Sequence, residues 1–186
     1  MKCYHIINTT TPPFNNNFIL PKYDKVEQFW KVWKYSAEEV LSTDMVNWWK
    51  EHGCTASHAL IFHAGAHSTL PIHIDSKANV DTWACNWSIG EPLWMEWYKS
   101  KTQGDVADKV ATNNGTHSEE ISYKSYTEDM LESNISKALM TSPAIIRIGI
   151  PHGGFNHTDN DGWIVSIRFK SNLTFLKAIE KFWSIK

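Results

Sequence analysis

The feature that most restricts this chain lies between residues 58 and 170, where apolar runs of five to eight residues recur, each cut off by Gly, Pro, Asn or Asp. Runs of that length are strand-sized, and turn-formers at such intervals are the pattern of a β-sandwich or barrel. The spacing predicts strands at about 58–63, 71–76, 82–89, 93–98, 120–124, 144–151 and 163–170. Ahead of them, "KVEQFWKVWKY" spaces its aromatics as a short helix would. "SAEEVLSTDMVNWWKEHG" opens with a capping box from Ser36 to Glu39, closes on Gly53, and sets Val40, Leu41, Met45, Val46 and Trp49 along one helical face. Between strands, "SYTEDMLESNISKAL" carries a second such box, Ser125 to Glu128, and predicts an inserted helix, while "LTFLKAIEKFWSIK" predicts a terminal amphipathic one. The expectation is one domain over residues 1–186: an N-terminal segment with packing helices (1–57), a mainly β core (58–170) and a C-terminal helix (171–186).

Bulk properties narrow the function classes. A chain of 186 residues with 42% hydrophobic and 20% charged residues is that of a globular protein with a real core. The net charge of -2 argues against a nucleic-acid partner, which needs a clustered basic surface, and no apolar stretch reaches the length of a membrane span. Cys3, Cys54 and Cys85 are odd in number, far apart and without a CxxC, so no disulfide framework is expected and a reducing cytoplasm is the expected setting. Only two arginines, Arg147 and Arg168, stand among 18 basic residues, so a site needing a bidentate guanidinium has few candidates.

The strands carry a small set of polar residues. In "LPIHIDSKANVDTWACNW", His73 and Asp75 are two apart and so share one face of a strand. Downstream, "AIIRIGIPHGGFNHTDNDGWIVSIRF" reads as a strand running to His152, a turn, and a strand bearing Arg168. Two imidazoles and a carboxylate on one face of an octahedron form the facial triad of non-haem Fe(II) oxygenases, with further positions open. A hydrogen-bonded pair at a strand end is the alternative for His73 and Asp75. His157, in the segment that reads as a turn, competes with His152 as the distal ligand. "HAGAH" sets His63 and His67 at the spacing of a helical zinc pair, but Gly65 and its flanks read as a loop. Asn86 shares strand parity with Ala84 and Ser88.

The blocks "IHIDSKANVDTWACNWSIGEPLWMEWY" and "IRIGIPHGGFNHTDNDGWIVSIRF" resemble the Fe(II)/2-oxoglutarate dioxygenase superfamily, nearest to aspartyl/asparaginyl β-hydroxylase and prolyl-hydroxylase-like proteins, including phage-encoded members. The resemblance covers about residues 36 to 170 and implies a double-stranded β-helix (jelly-roll, cupin-like) core. It also implies Fe(II) held by His73, Asp75 and His152. 2-Oxoglutarate and O₂ would serve as cosubstrates, with Arg168, Asn86 and Tyr98 as cosubstrate-binding residues, and a protein side chain or small molecule would be hydroxylated. In the family a cation stands about ten residues after the distal histidine; that position is Gly162 here, and Arg168, on the same strand parity, is the replacement. Two other readings stay open: a cupin-like metalloenzyme without 2-oxoglutarate, and a non-catalytic jelly-roll binding or virion-associated protein. If phage-encoded, the protein would act in the host cytoplasm. Loop 100–119 and the N-terminal helices are the expected substrate-facing parts, and they do not encode the primary substrate.

Overall fold

The computed structural model describes residues 1–22, 31–75, 81–102, 105–106, 110–111, 120–121, 123–170 and 173–183. Its elements in chain order are β1 (Tyr4–Ile6), β2 (Lys31–Ser36), α1 (Ala37–Val40), α2 (Thr43–Glu51), β3 (Ala56–Ala64), β4 (Thr69–Asp75), β5 (Trp83–Gly90), β6 (Leu93–Ser100) and β7 (Asp105–Val106). They continue with β8 (Val110–Ala111), β9 (Glu120–Ile121), β10 (Tyr123–Ser125), β11 (Leu131–Met140), β12 (Ala144–Arg147), β13 (His152–Phe155), β14 (Gly162–Phe169) and α3 (Phe175–Trp183).

Among the described residues the strands make two six-stranded antiparallel sheets, ordered β1-β12-β5-β14-β3-β2 and β11-β6-β13-β4-β10-β7, with β8 and β9 paired apart. The strands alternate between the sheets in two runs, from β3 (first) through β4 and β5 to β6 (second) and from β11 (second) through β12 and β13 to β14 (first). Chain that crosses repeatedly from one sheet to the other in this way is a jelly roll, the double-stranded β-helix of cupin-like folds. No helix of the described residues is long and apolar enough to cross a membrane.

The first sheet is covered on both faces. On its outer face Trp83, Cys85, Trp87, Val165 and Ile167 pack with Met45 and Trp49 of α2 and Phe175, Ala178, Ile179 and Phe182 of α3. On its inner face Ala84, Ala144 and Ile146 meet Met95, Trp97, Ala138 and Met140 of the second sheet. A sheet buried on both sides has no polar face to alternate with, which is why β5 and β12 read as nearly continuous apolar runs. The stretch 175, 178, 179, 182 is the apolar stripe of an amphipathic helix, as the sequence predicts. All three cysteines are free and buried.

Three expectations need correction. The helix expected at "KVEQFWKVWKY" is, over its described part, strand β2, paired with β3 from Lys31↔His63 to Ser36↔His58; residues 23–30 lie outside the described residues. The described part of residues 1–57 therefore holds β1, β2 and the start of β3 besides its helices. The single helix after Ser36 is two: the capping box at Ser36–Glu39 forms and starts α1, but Leu41 is extended and Ser42 caps α2. The helix expected from Ser125 is a one-turn 3₁₀ segment, Glu128–Met130, followed by β11 on the edge of the second sheet. Pairing with β6 outweighs the local propensity there, and bulges at Leu131/Ser133 and Asn134/Ser136 blur the two-residue alternation that marks a strand.

Candidate metal centre

β4 and β13 lie antiparallel, with His73 and His152 as direct partners. Cross-strand partners face the same side, and Asp75, two residues beyond His73, joins them. The imidazole centroids are 4.5 Å apart, and His73 Nε2 lies 3.6 Å from Asp75 Oδ1. One ligand atom from each of His73, Asp75 and His152 falls within 4.8 Å of the other two. Both histidines are buried, and the Asp75 side chain, at the end of β4, is 26% exposed. Gly153 permits this approach: a Cβ there would meet Leu70 O at 3.2 Å and Ile72 Cγ1 at 3.3 Å, wedging β13 from β4 beside the ligand pair.

The tautomers follow from the backbone. His73 Nδ1 lies 2.7 Å from Pro71 O and His152 Nδ1 2.9 Å from Ile150 O. A carbonyl only accepts, so each Nδ1 carries the proton and donates it, leaving the Nε2 lone pair for a ligand. That is the arrangement of metal-binding histidines, whose other nitrogen is fixed by a hydrogen bond.

Electrostatics prepare the same state. Burial, reinforced by the neighbouring His73, pulls the His152 pKa down to about 3. Burial also lowers His73, against the opposing pull of Asp75. Burial acts to raise Asp75, but Arg168 first, then His73, His152 and His58, outweigh it and hold the carboxyl below its ordinary range. At neutral pH the site offers two neutral imidazoles and one carboxylate, the protonation states metal binding requires.

These shifts predict acid lability of the metal-free protein. An unfolded chain protonates His73 and His152 near pH 6.5, whereas the folded chain resists, so the unfolded state binds more protons below that pH and stability falls with acidification. Asp75 adds the same sign below about pH 4, because its depressed pKa keeps it ionised in the fold. The melting temperature of the metal-free protein is expected to fall steadily from pH 7 to pH 5. A flat profile over that range would show that the histidines are solvated rather than buried neutral.

Arg168 reaches across from β14 in the opposite sheet. Its Nη1 lies 2.9 Å from Asp75 Oδ2, an ion pair off hydrogen-bond direction, and its Nε is buried with no hydrogen-bond partner among the described residues. Between the sheets is a cavity of about 20 Å³, bordered by His73 and His152 and lined by Phe62, Met95, Ile148 and Ile164 with Asn86, Ser166 and Arg168. The Ser166 hydroxyl and Asn86 Oδ1 are also buried and unpaired among the described residues, although the Asn86 amide nitrogen contacts Met95 Sδ at 3.5 Å.

Several sequence expectations are sharpened or corrected by this geometry. His152 opens β13 rather than ending the preceding strand, because β12 stops at Arg147 and the segment 148–151 crosses between the sheets. His157 is exposed, stacked on Phe155, and outside the cluster. His63 is buried against Asp161, and His67 pairs with Asp159 in a turn; neither joins the cluster. Asn86 faces the cavity, as its parity predicts, but Tyr98 does not. It lies on the outer face of β6, with its hydroxyl donating to Glu96, because the inner face is taken by Met95 and Trp97. Gly162 leaves no room for a side chain, since a Cβ would meet Leu93 Cδ2 at 2.7 Å and Glu91 O at 2.8 Å. Ser166 was missed by sequence reasoning, although parity with Arg168 on one strand marks it. Most of loop 100–119 lies outside the described residues.

Fold and site together define a jelly-roll protein of cupin-like architecture with a candidate mononuclear His–Asp–His metal centre. No protein-family model and no curated protein matches the sequence. Among solved structures the chain is similar to vicilin from Corylus avellana (hazelnut), at 6% identity and a TM-score of 0.39, over 78% of this chain and 30% of that one. It is also similar to an oxalate oxidase in complex with the substrate analogue glycolate, at 10% identity and a TM-score of 0.37, over 92% of this chain and 76% of that one. A third is Peruvianin-I, a cysteine peptidase from Thevetia peruviana latex, at 8% identity and a TM-score of 0.39, over 92% of this chain and 91% of that one. Backbones this distant assign no activity.

Proposed function

We propose that this protein is a mononuclear non-haem Fe(II) oxygenase using 2-oxoglutarate and O₂ to hydroxylate a protein side chain or small molecule. The observation that carries this reading is the convergence of His73, Asp75 and His152, with each Nδ1 tied to a carbonyl so that each Nε2 carries the lone pair a metal would take. Two imidazoles and a carboxylate suit Fe(II), and when bound the iron and cosubstrate supply the oxidising chemistry. The chain's own residues hold the ligands in fixed tautomers and bury both imidazoles. The buried, unpaired Arg168 Nε and Ser166 hydroxyl line the cavity beside the histidines, and both can donate to a carboxylate placed there.

One observation favours a second reading, a metal-dependent enzyme without 2-oxoglutarate. The cavity of about 20 Å³ holds about one water, and Arg168 already faces Asp75, so a dicarboxylate must displace side chains to enter. Anaerobic titration decides between them. Fe(II) is expected to bind at one equivalent, and added 2-oxoglutarate is expected to produce a visible charge-transfer band. Binding of iron with no band on adding 2-oxoglutarate would select the second reading, and no iron binding would exclude both.

A further inference from the structure

Arg168 is a largely buried cation set against one of the candidate ligands. It crosses from the first sheet to the second and places Nη1 2.9 Å from Asp75 Oδ2, while Asp75 Oδ1 is the oxygen near His73 Nε2, at 3.6 Å. The two carboxylate oxygens are thereby divided between two tasks. One faces the guanidinium and the other faces the point where the imidazole nitrogens converge. The arginine's backbone is paired to His58 on β3, and its neighbour Ile167 to Cys85 on β5. Its side chain is only 12% exposed.

We propose that Arg168 is a positioning residue of the metal centre: its ion pair with Asp75 Oδ2 sets the carboxylate to offer Oδ1 alone to the metal. This rests on the metal reading of the triad but not on 2-oxoglutarate. Without the guanidinium, Asp75 at the end of its strand can swing towards solvent or present both oxygens, and either change alters the coordination the histidines alone would define. A planar fork suits this task better than an ammonium, because its orientation fixes the orientation of the carboxylate.

The test uses Co(II) as an air-stable probe whose visible absorption reports coordination geometry. Arg168→Gln is expected to weaken Co(II) binding by about 10- to 100-fold, the range for losing a residue that orients a ligand, and to change the shape of the absorption band. Arg168→Lys, which keeps the charge and loses the fork, is expected to restore most of the affinity while the band stays altered. A folded Arg168→Gln variant with wild-type affinity and band would overturn the proposal. If Arg168→Gln fails to fold, Arg168→Lys decides: a band and affinity identical to wild type overturn it, and an altered band upholds it. Failure of the wild type itself to bind Co(II) would instead remove the metal reading on which the proposal rests.

Discussion

His152→Ala is expected to weaken Co(II) or Fe(II) binding by more than about a hundredfold, since losses among groups that only orient ligands already cost about 10- to 100-fold. His152 supplies one of three ligand atoms, and among the described residues no other His, Cys, Asp or Glu completes such a group. The exposed His157 offers no substitute on its side of the turn. The fold should survive the change. The imidazole is a buried polar group with a hydrogen bond to Ile150 O, and its removal deletes a desolvated ring together with that bond. At pH 7 the expected cost is about 1–3 kcal/mol, the ordinary range for such a substitution. At pH 5 the cost shrinks, because the wild-type chain is there penalised for holding a histidine unprotonated and the variant is not. Wild-type protein should melt higher in the presence of Co(II), by linkage, and the variant should not. Isothermal titration and thermal melts with and without the ion read all of this. Retention of tight one-to-one binding by His152→Ala would show that His152 is not a ligand.

The contrast between what the sequence discloses and what it hides is physical. The pair His73 and Asp75 was legible because strand parity is a local rule: two residues apart means one face. The pairing of His152 with His73 is not local, and only the register of β13 on β4 selects it over His157. The jelly roll could be read from strand length and punctuation, yet two strands passed for helices. "FWKVWKY" sets Trp30 and Trp33 three apart, as a helix would, but Trp33 and Tyr35 two apart, as a strand would, and the partner of β2, β3, is remote in sequence. "LESNISKALM" has bulges that break alternation, and a Ser-x-x-Glu pattern ahead of it that caps nothing. The outward turn of Tyr98 was hidden for the same reason: parity groups it with Glu96, but which face is inside depends on the sheet opposite.

Trp97→Ala is expected to cost about 3–5 kcal/mol, the range for truncating a large buried aromatic, against a total stability of about 5–15 kcal/mol for a domain. Trp97 is fully buried between the sheets, stacks on Tyr4 at 5.8 Å between centroids, and donates from Nε1 to Arg147 O at 2.8 Å. That bond joins β6 of the second sheet to the end of β12 in the first, where the chain begins its crossing to His152. Trp97→Phe separates the two contributions, since it keeps much of the apolar volume but removes the bond from Nε1 to Arg147 O, at an expected cost of about 1–3 kcal/mol. Denaturant midpoints at constant m-value measure both changes. Trp97 is also the direct partner of His152 across β13, yet it offers no ligand atom. The Phe variant is therefore expected to bind Co(II) as wild type does at temperatures well below its own melting point. This is the reverse of His152→Ala, which should keep the fold and lose the ion. A Trp97→Ala variant losing less than about 1 kcal/mol would mean that the space between the sheets can collapse around the missing indole, and that the packing beneath the candidate metal centre is softer than the burial of Trp97 implies.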